Sequence, residues 1–288
     1  MRVSTYLKKW FPAFALPTTL AFVLAFLVPF GMGLYLSFTK FRVITDAQWI
    51  GLNNYTQAFS EKNNNFLHAL WFSVRFTVVS VIVVNVLAFT FAMLLTKAIR
   101  ATNLFRAVFF LPNLIGGIVL GYIWMLLLNA ILDKLFKQDL TYNSAYGFWG
   151  LVIVNSWQMV GYMMIIYIAG IQNIPGDVIE AAEIDGAPFW PRLFRVTIPM
   201  VASSITICTF LTLTNSLKLF DQNLSLTGGA PQQGGVYTTA GLSLDIFRTF
   251  YTMNNRMGVG QAKAVIFFII VAVIAFIQLR ATRSREEH

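Results

Sequence analysis

Six long apolar stretches dominate the chain, and most charged residues lie in the segments between them. Because a helix rises about 1.5 Å per residue, about 20 apolar residues cross the ~30 Å hydrocarbon core of a bilayer. The first stretch follows a basic N-terminal segment but is too long for the core of a cleaved signal peptide, so we expect it to remain as a helix. We predict six membrane-spanning helices, at approximately residues 13–38, 70–95, 107–129, 148–171, 198–220 and 262–279.

The composition agrees with an all-α polytopic membrane protein. Of the residues, 57% are hydrophobic and 11% are charged, against roughly 25% charged residues in soluble domains. The formal net charge is +9, but the basic residues cluster beside the apolar stretches, as Lys97 with Arg100 and Arg192 with Arg195 do. This pattern is typical of the positive-inside rule and predicts that both termini are cytoplasmic. We therefore interpret the charge as a sign of topology, not of nucleic-acid binding.

The predicted helices contain no histidine and no clear pair of carboxylates, which an enzyme site within the membrane would be expected to use. The chain has one cysteine, Cys208, which excludes an intrachain disulfide, and its two histidines, His68 and His288, lie outside the apolar stretches. The glycine-rich segment 227–235 lacks the lysine of the phosphate-binding motif GxxxxGK[ST], so ATP would have to bind elsewhere. The sequence predicts no catalytic residue, no metal site and no cofactor in this chain, and it disfavours a membrane-embedded enzyme.

The inner loop at residues 174–199 differs from the rest of the chain because it concentrates acidic residues. Four of the 12 acidic residues lie here. Asp177 is a candidate N-cap for a helix of about two turns that Gly186 would end, and a second short helix is predicted from about Pro188. Helices this short are unstable alone, so they are expected either to dock into a groove of another protein or to lie on lipid headgroups. The acidic first helix favours a protein groove, since an anionic lipid surface repels it.

The same loop carries a family resemblance. Residues 180–186, Glu-Ala-Ala-Glu-Ile-Asp-Gly, followed by Ile198-Pro199, resemble the EAA motif of the membrane permease subunits of binding-protein-dependent ABC importers. With a tryptophan four residues after the glycine, Trp190, the motif resembles the form found in the carbohydrate-uptake branch of that family. Further landmarks in the family's order are residues 49–55, 226–231 and 258–262.

The resemblance implies a type I importer (MetI-like) transmembrane fold and a set of partners. It divides the chain into an N-terminal helix with its outer loop, 1–69, and a core of five helices, 70–288. It implies that the loop is a coupling helix seated in a separate ATPase subunit, which binds ATP and Mg²⁺. The other implied partners are a second homologous permease subunit, two ATPase domains in all and an extracellular solute-binding protein, in a bacterial or archaeal cytoplasmic membrane. The candidate coupling residues are Glu180, Ala181, Ala182, Asp185, Gly186 and Pro199.

Polar residues on two apolar helices indicate a path for the solute, because each costs free energy in a bilayer unless it has a partner or lines a cavity. Amides and hydroxyls beside aromatic rings suit an uncharged, hydroxyl-rich solute, and the resemblance places Asn155, Met159 and Tyr162 where relatives hold sugar. Each could instead hydrogen-bond between helices, the interpretation we favour for Asn85. Near helix ends, Arg75 and Lys263 are expected to extend to the membrane surface. Lys218 could reach the lumen of the path, but extension to the surface or a pair with Asp221 is favoured for it. The candidate path residues are Asn155, Gln158, Met159, Tyr162, Thr212, Asn215 and Ser216.

The sequence therefore predicts a permease subunit that imports a sugar or oligosaccharide, with ATP hydrolysed in a separate subunit. Glycerol phosphate or another polyol remains an alternative within the same machinery. A secondary transporter is a further alternative, but the ionisable residues deep in helices that this class uses are not evident.

Overall fold

The computed structural model describes residues 2–60, 65–96, 101–253 and 255–286, which are mostly helical. Lys97, Arg100 and His288 lie outside the described residues. The longer helices are α1 (Arg2–Phe22), α2 (Val28–Leu36), α3 (Asn53–Ser60), α4 (Asn65–Leu95), α5 (Thr102–Phe110), α6 (Gly117–Phe136), α7 (Ser144–Gln172), α8 (Gly176–Ile184), α11 (Ala202–Leu217), α12 (Leu242–Tyr251) and α13 (Met257–Glu286). The short elements are α9 (Phe189–Arg192), α10 (Ile198–Met200) and the strands β1 (Thr39–Lys40), β2 (Gln48–Trp49), β3 (Gln232–Gln233) and β4 (Val236–Tyr237).

The membrane-spanning character of the chain is confirmed, and one further candidate span is bent. In the described part of the chain, five helical stretches are long and apolar enough to cross a bilayer. The pair Phe189–Met200 and Ala202–Leu217 makes a sixth if its two parts, bent by 72°, form one span. The five stretches are Ala13–Leu36, Asn65–Leu95, Gly117–Phe136, Ser144–Gln172 and Met257–Gln278.

The third predicted helix is interrupted. Helix α5 ends at Phe110, a 3-10 turn covers Leu111–Leu114, and α6 begins only at Gly117. Pro112 lies in this turn, where it has no backbone N–H to donate to a continuing helix, and Gly116 leaves the helical conformation at ψ 136°. The span therefore runs from Gly117 to Phe136, later than the sequence suggested.

The chain divides into two compact units, residues 1–62 with 246–267 and residues 63–245 with 268–288. The division at residue 69 that the family resemblance implies stays a prediction. In the second unit, α4 packs against α7 and α11. Val84 and Ala88 of α4 are buried, whereas Val78, Ile82 and Val86 on its other side are exposed, as expected for a helix that faces lipid.

Glycines allow close approach within this second unit. A Cβ on Gly161 of α7 would lie 1.8 Å from the carbonyl oxygen of Phe109 in α5. On α6, a Cβ on Gly117 would lie 2.6 Å from the Cβ of Asp221, and one on Gly121 would lie 2.0 Å from Ser225 Oγ. The glycines of α6 thus allow the segment after α11 to lie directly against this helix.

In the first unit, a small hairpin follows the first membrane span. Strands β1 and β2 are antiparallel, with Thr39 opposite Trp49, and Asn54 donates from Nδ2 to the carbonyl oxygens of Ser37 and Thr39 (2.9 and 2.8 Å). These two bonds fix the end of the hairpin. Asn54 is buried and belongs to the segment 49–55 singled out in the sequence.

One expectation about a charged residue is wrong. Lys263 does not extend to the membrane surface; it is 2% exposed, and its Nζ donates to Thr249 Oγ1 of α12 at 2.9 Å. Helix α13 begins at Met257 and not near residue 262, so Lys263 lies in its second turn and faces α12. A hydroxyl within reach compensates part of the cost of burying the ammonium group.

Candidate functional site

A cavity of about 360 Å³ lies in the second unit. It is bounded by α7, by the break before α6, and by the end of α11 with the residues that follow. Five of the seven path residues predicted from the sequence line it: Asn155, Gln158, Met159, Tyr162 and Asn215. The α7 residues meet there because positions i, i+3, i+4 and i+7 share one face of a helix.

Asn155 contributes a buried amide to the wall of the cavity. Its side chain is 3% exposed, and its Nδ2 is buried without a hydrogen-bond partner among the residues that the structure describes. Leaving a buried donor unpaired costs about 1–3 kcal/mol. A side-chain rotation that exposed this amide to the cavity would let a solute hydroxyl accept the bond and recover that cost.

Two glutamines join the walls of the cavity. Gln158 Nε2 donates to the carbonyl oxygen of Ile115 at 3.0 Å, and Gln222 Nε2 donates to Gln158 Oε1. The bridge connects α7, the break before α6 and the segment after α11. Hydrogen bonds between neighbouring residues therefore hold this polar wall of the cavity in place.

Two predicted path residues do not line the cavity. Thr212 and Ser216 are 0% and 1% exposed and lie inside the protein. Thr212 Oγ1 donates to the carbonyl oxygen of Cys208, one turn earlier in its own helix, at 2.8 Å. Ser216 Oγ is buried without a partner in the part of the chain that is described. Asn85 bonds between helices as we favoured: it accepts from Tyr167 Oη at 2.7 Å.

The structure adds cavity residues that the sequence did not single out as path residues. Asn113, Asp221 and Gln222 line it, as does Lys218, which was expected to reach the membrane surface instead. Over the described ranges, no ion pair joins Lys218 to Asp221. Asn113 lies in the break before α6, which the apolar pattern did not reveal. Lys218, Asp221 and Gln222 directly follow the polar side of α11, so their place in the sequence could have indicated them.

The acidic inner loop forms the second candidate site. Helix α8 runs from Gly176 to Ile184, and its N-cap is Pro175. The assignment of Asp177 as the N-cap was wrong. The helix already begins at Gly176, so Asp177 lies in its first turn, where its negative charge interacts favourably with the helix dipole.

Gly186 ends α8 as predicted. Its φ is +70°, a left-handed conformation that glycine adopts without steric cost. The N–H of Gly186 bonds to Glu183 and that of Ala187 to Ala182, both at 3.0 Å. These bonds satisfy carbonyls at the end of the helix and turn the chain towards α9.

The two short helices of the loop expose apolar and acidic side chains together. Ile184 and Trp190 are 86% and 64% exposed, and the ring of Trp190 stacks on Phe194 with centroids 6.1 Å apart. Arg192 forms an ion pair with Glu183, which ties α9 to α8. Glu180, Ala181, Asp185 and Pro199 are exposed as well. This surface has the composition of a docking face, with large apolar side chains beside carboxylates.

The described residues contain no group of three or more His, Cys, Asp or Glu side chains that could hold a metal ion. Neither the cavity nor the loop therefore offers a cluster of metal ligands.

Comparisons with known proteins relate the whole chain to transport permeases. A family model described as a binding-protein-dependent transport system inner membrane component matches residues 100–285. The probable starch degradation products transport system permease protein AmyD of Thermoanaerobacterium thermosulfurigenes is 44% identical over 288 residues, 96% of this chain and 95% of that protein. The trehalose/maltose transport system permease protein MalF of Thermococcus litoralis is 28% identical over 253 residues, 85% and 83% of the two chains.

A solved structure has the same fold. A chain of a bacterial ABC transporter involved in the import of the acidic polysaccharide alginate superposes with a TM-score of 0.80, at 19% identity, over 99% of each chain. At this identity the likeness concerns the fold alone.

Proposed function

The chain belongs to the family of binding-protein-dependent transport system inner membrane components, and on this premise we propose that it is a permease subunit that imports an oligosaccharide. The observation that carries the proposal is the polar cavity, which is lined by the amide residues Asn155, Gln158 and Asn215 together with Tyr162. Amides and a phenol suit hydroxyl groups. The relatives named for starch degradation products and for trehalose and maltose support a carbohydrate as the solute.

The charges in the cavity support a neutral solute over glycerol phosphate. Lys218 and Asp221 both line it, so the two formal charges cancel. A path for anions needs an excess of cations at the same depth. Glycerol phosphate, or another polyol, is accordingly the second candidate.

The machinery is completed by other subunits. We infer that a second homologous permease pairs with this chain as a heterodimer, that two ATPase domains bind ATP and Mg²⁺, and that an extracellular solute-binding protein delivers the sugar. The chain itself is not an enzyme in this scheme. The assembly would lie in a bacterial or archaeal cytoplasmic membrane, with α8 and α9 presented to the ATPase through Glu180, Asp185, Trp190 and the turn at Gly186.

The coupling role of the loop is tested with a matched pair of glycine substitutions. A Cβ on Gly186 or on Gly176 would meet nothing within 4 Å, but only Gly186 has a positive φ. A β-branched residue in the left-handed region is strained by about 1–2 kcal/mol, so Gly186→Val should disturb the turn and Gly176→Val should not.

The measurement is ATP-dependent uptake of labelled oligosaccharides into liposomes that contain this chain with its partner permease, ATPase and binding protein. We expect Gly186→Val to reduce uptake at least tenfold while the complex still assembles, and Gly176→Val to keep uptake close to that of the wild type. Uptake without ATP by this chain alone would overturn the proposal in favour of a secondary transporter. Preferential uptake of glycerol phosphate would overturn the choice of solute.

A further inference from the structure

A cationic cleft lies in the first unit, in the part of the chain formed by residues 1–62 and 246–267. It consists of two adjoining cavities of about 270 and 490 Å³, and Arg42 and Asn255 line both. We call it the Lys40–Arg42 cleft. The proposed transport function assigns no role to it.

The polar part of the cleft contains two cations that form no ion pair among the described residues. Lys40 and Arg42 line it together with Asp46 and Gln48. The Asp46 carboxylate accepts from the backbone N–H groups of Arg42 (2.9 Å) and Val43 (3.1 Å), so it serves the local turn. Within the described ranges, neither Lys40 nor Arg42 has an ion-pair partner.

The geometry of Arg42 suits an anion. Its Nε donates to Asn255 Oδ1, which fixes the plane of the guanidinium group. The two terminal nitrogens have no partner in the part of the chain that the structure describes, and they can therefore donate to a second group. A guanidinium group held in this way, with an ammonium group beside it, is suited to phosphate oxygens.

The other part of the cleft, which Arg42 and Asn255 also line, has an apolar side. Phe250, Met253 and Met257 line it, and the ring of Phe250 lies 6.4 Å from that of Phe41. A soluble anion would leave this apolar wall in contact with water. A ligand that carries hydrocarbon next to its phosphate would cover the wall and satisfy the cations at once.

The position of the cleft along the chain places it where lipid headgroups lie. The first span ends at Leu36, four residues before Lys40, and the last span begins at Met257. Cationic side chains just beyond the hydrocarbon core meet the phosphates of the bilayer. The positive charge, the apolar side chains and the position at the headgroup level all suit a ligand that carries hydrocarbon next to a phosphate.

We propose that the Lys40–Arg42 cleft binds the phosphate of an anionic phospholipid, with an acyl chain against Phe250 and Met257. The bound lipid would bridge the hairpin after the first span and the turn before the last span. The proposal does not depend on which solute the protein transports.

The test is lipid binding to the full-length protein, purified in detergent and titrated with phosphatidylglycerol, by native mass spectrometry. The double variant Lys40→Gln/Arg42→Gln should lower the affinity of the tightest phosphatidylglycerol site by about tenfold or more. The matched control is Lys134→Gln/Lys137→Gln, which removes two cations at the end of α6 and should change the affinity less than twofold. Phosphatidylcholine should bind equally to all three proteins, and circular dichroism should show unchanged helix content.

Further arms identify the source of the phosphate. Soluble glycerol phosphate should fail to displace phosphatidylglycerol at millimolar concentration, because it lacks the hydrocarbon. Efficient displacement would assign the cleft to a soluble anion and overturn the proposal. Equal loss of lipid in the control and double variants would overturn it too. Unchanged lipid binding with weakened capture of the solute-binding protein would assign the cleft to that protein instead.

Discussion

At the scale of single residues, Gly161 is the position where an added methyl group is tolerated least. A Cβ there would lie 1.8 Å from the Phe109 carbonyl oxygen and 2.3 Å from its carbonyl carbon, which are backbone atoms that cannot rotate away. We expect Gly161→Ala to separate α5 from α7 and to lower the unfolding temperature by several degrees, since overpacking typically costs about 1–3 kcal/mol. Thermal unfolding of the purified protein measures this. Gly116→Ala is the control, because a Cβ on Gly116 would meet nothing within 4 Å; equal unfolding temperatures for both variants would contradict the packing described here.

The candidate site also shows which single residues a sequence can place. The α7 members could be predicted because helical spacing alone puts Asn155, Gln158 and Tyr162 on one face. Thr212 and Ser216 do not line this cavity, since the polar face of α11 turns partly into the protein, where Thr212 Oγ1 bonds to its own helix; their part in the path stays a prediction. Spacing reveals a shared face but not what that face contacts.

At the scale of secondary-structure elements, the Gln158–Gln222 bond fixes the segment after α11 against α7. Gln222 is 8% exposed, so its removal would leave Gln158 Oε1 without its donor inside the protein. We expect Gln222→Ala to lower stability by about 1–3 kcal/mol and to raise the solute concentration needed for half-maximal uptake. Denaturant unfolding and uptake kinetics would measure the two effects.

Ser225→Ala is the control for this element, because among the described residues Ser225 Oγ bonds only to the carbonyl oxygen of Asp221 in the same segment, at 2.8 Å. If both variants transported with equal half-saturation, the glutamine bridge would have no part in shaping the cavity. The sequence indicated Gln158 but not its partner. A contact between residues 64 positions apart depends on the path of the chain after Leu217, which the apolar pattern does not contain.

At the scale of the whole molecule, the fold class could be predicted from the long apolar stretches, but the bend near Met200 could not. Pro199 and the exposed apolar side chains before it gave α9 and α10 the appearance of a loop followed by one straight span. The structure instead joins Phe189–Met200 to Ala202–Leu217 at 72°. A hydropathy profile gives the length of each apolar stretch but not the direction in which its helix runs. Five and six crossings therefore give similar profiles.

The number of crossings can be decided by labelling single cysteines. Because Cys208 is 0% exposed, it should not react with the reagent, and the wild-type protein serves as the control. Leu52→Cys, Ile184→Cys and Tyr251→Cys are introduced one at a time at exposed positions. If α11 and the short helices before it form one span, Ile184 and Tyr251 lie on opposite sides of the membrane. We expect an impermeant maleimide to label residues 52 and 251 in intact cells, and residue 184 only after permeabilisation. Labelling of 184 and 251 from the same side would make the bent pair a re-entrant segment, leave five crossings, and place the two termini on opposite sides.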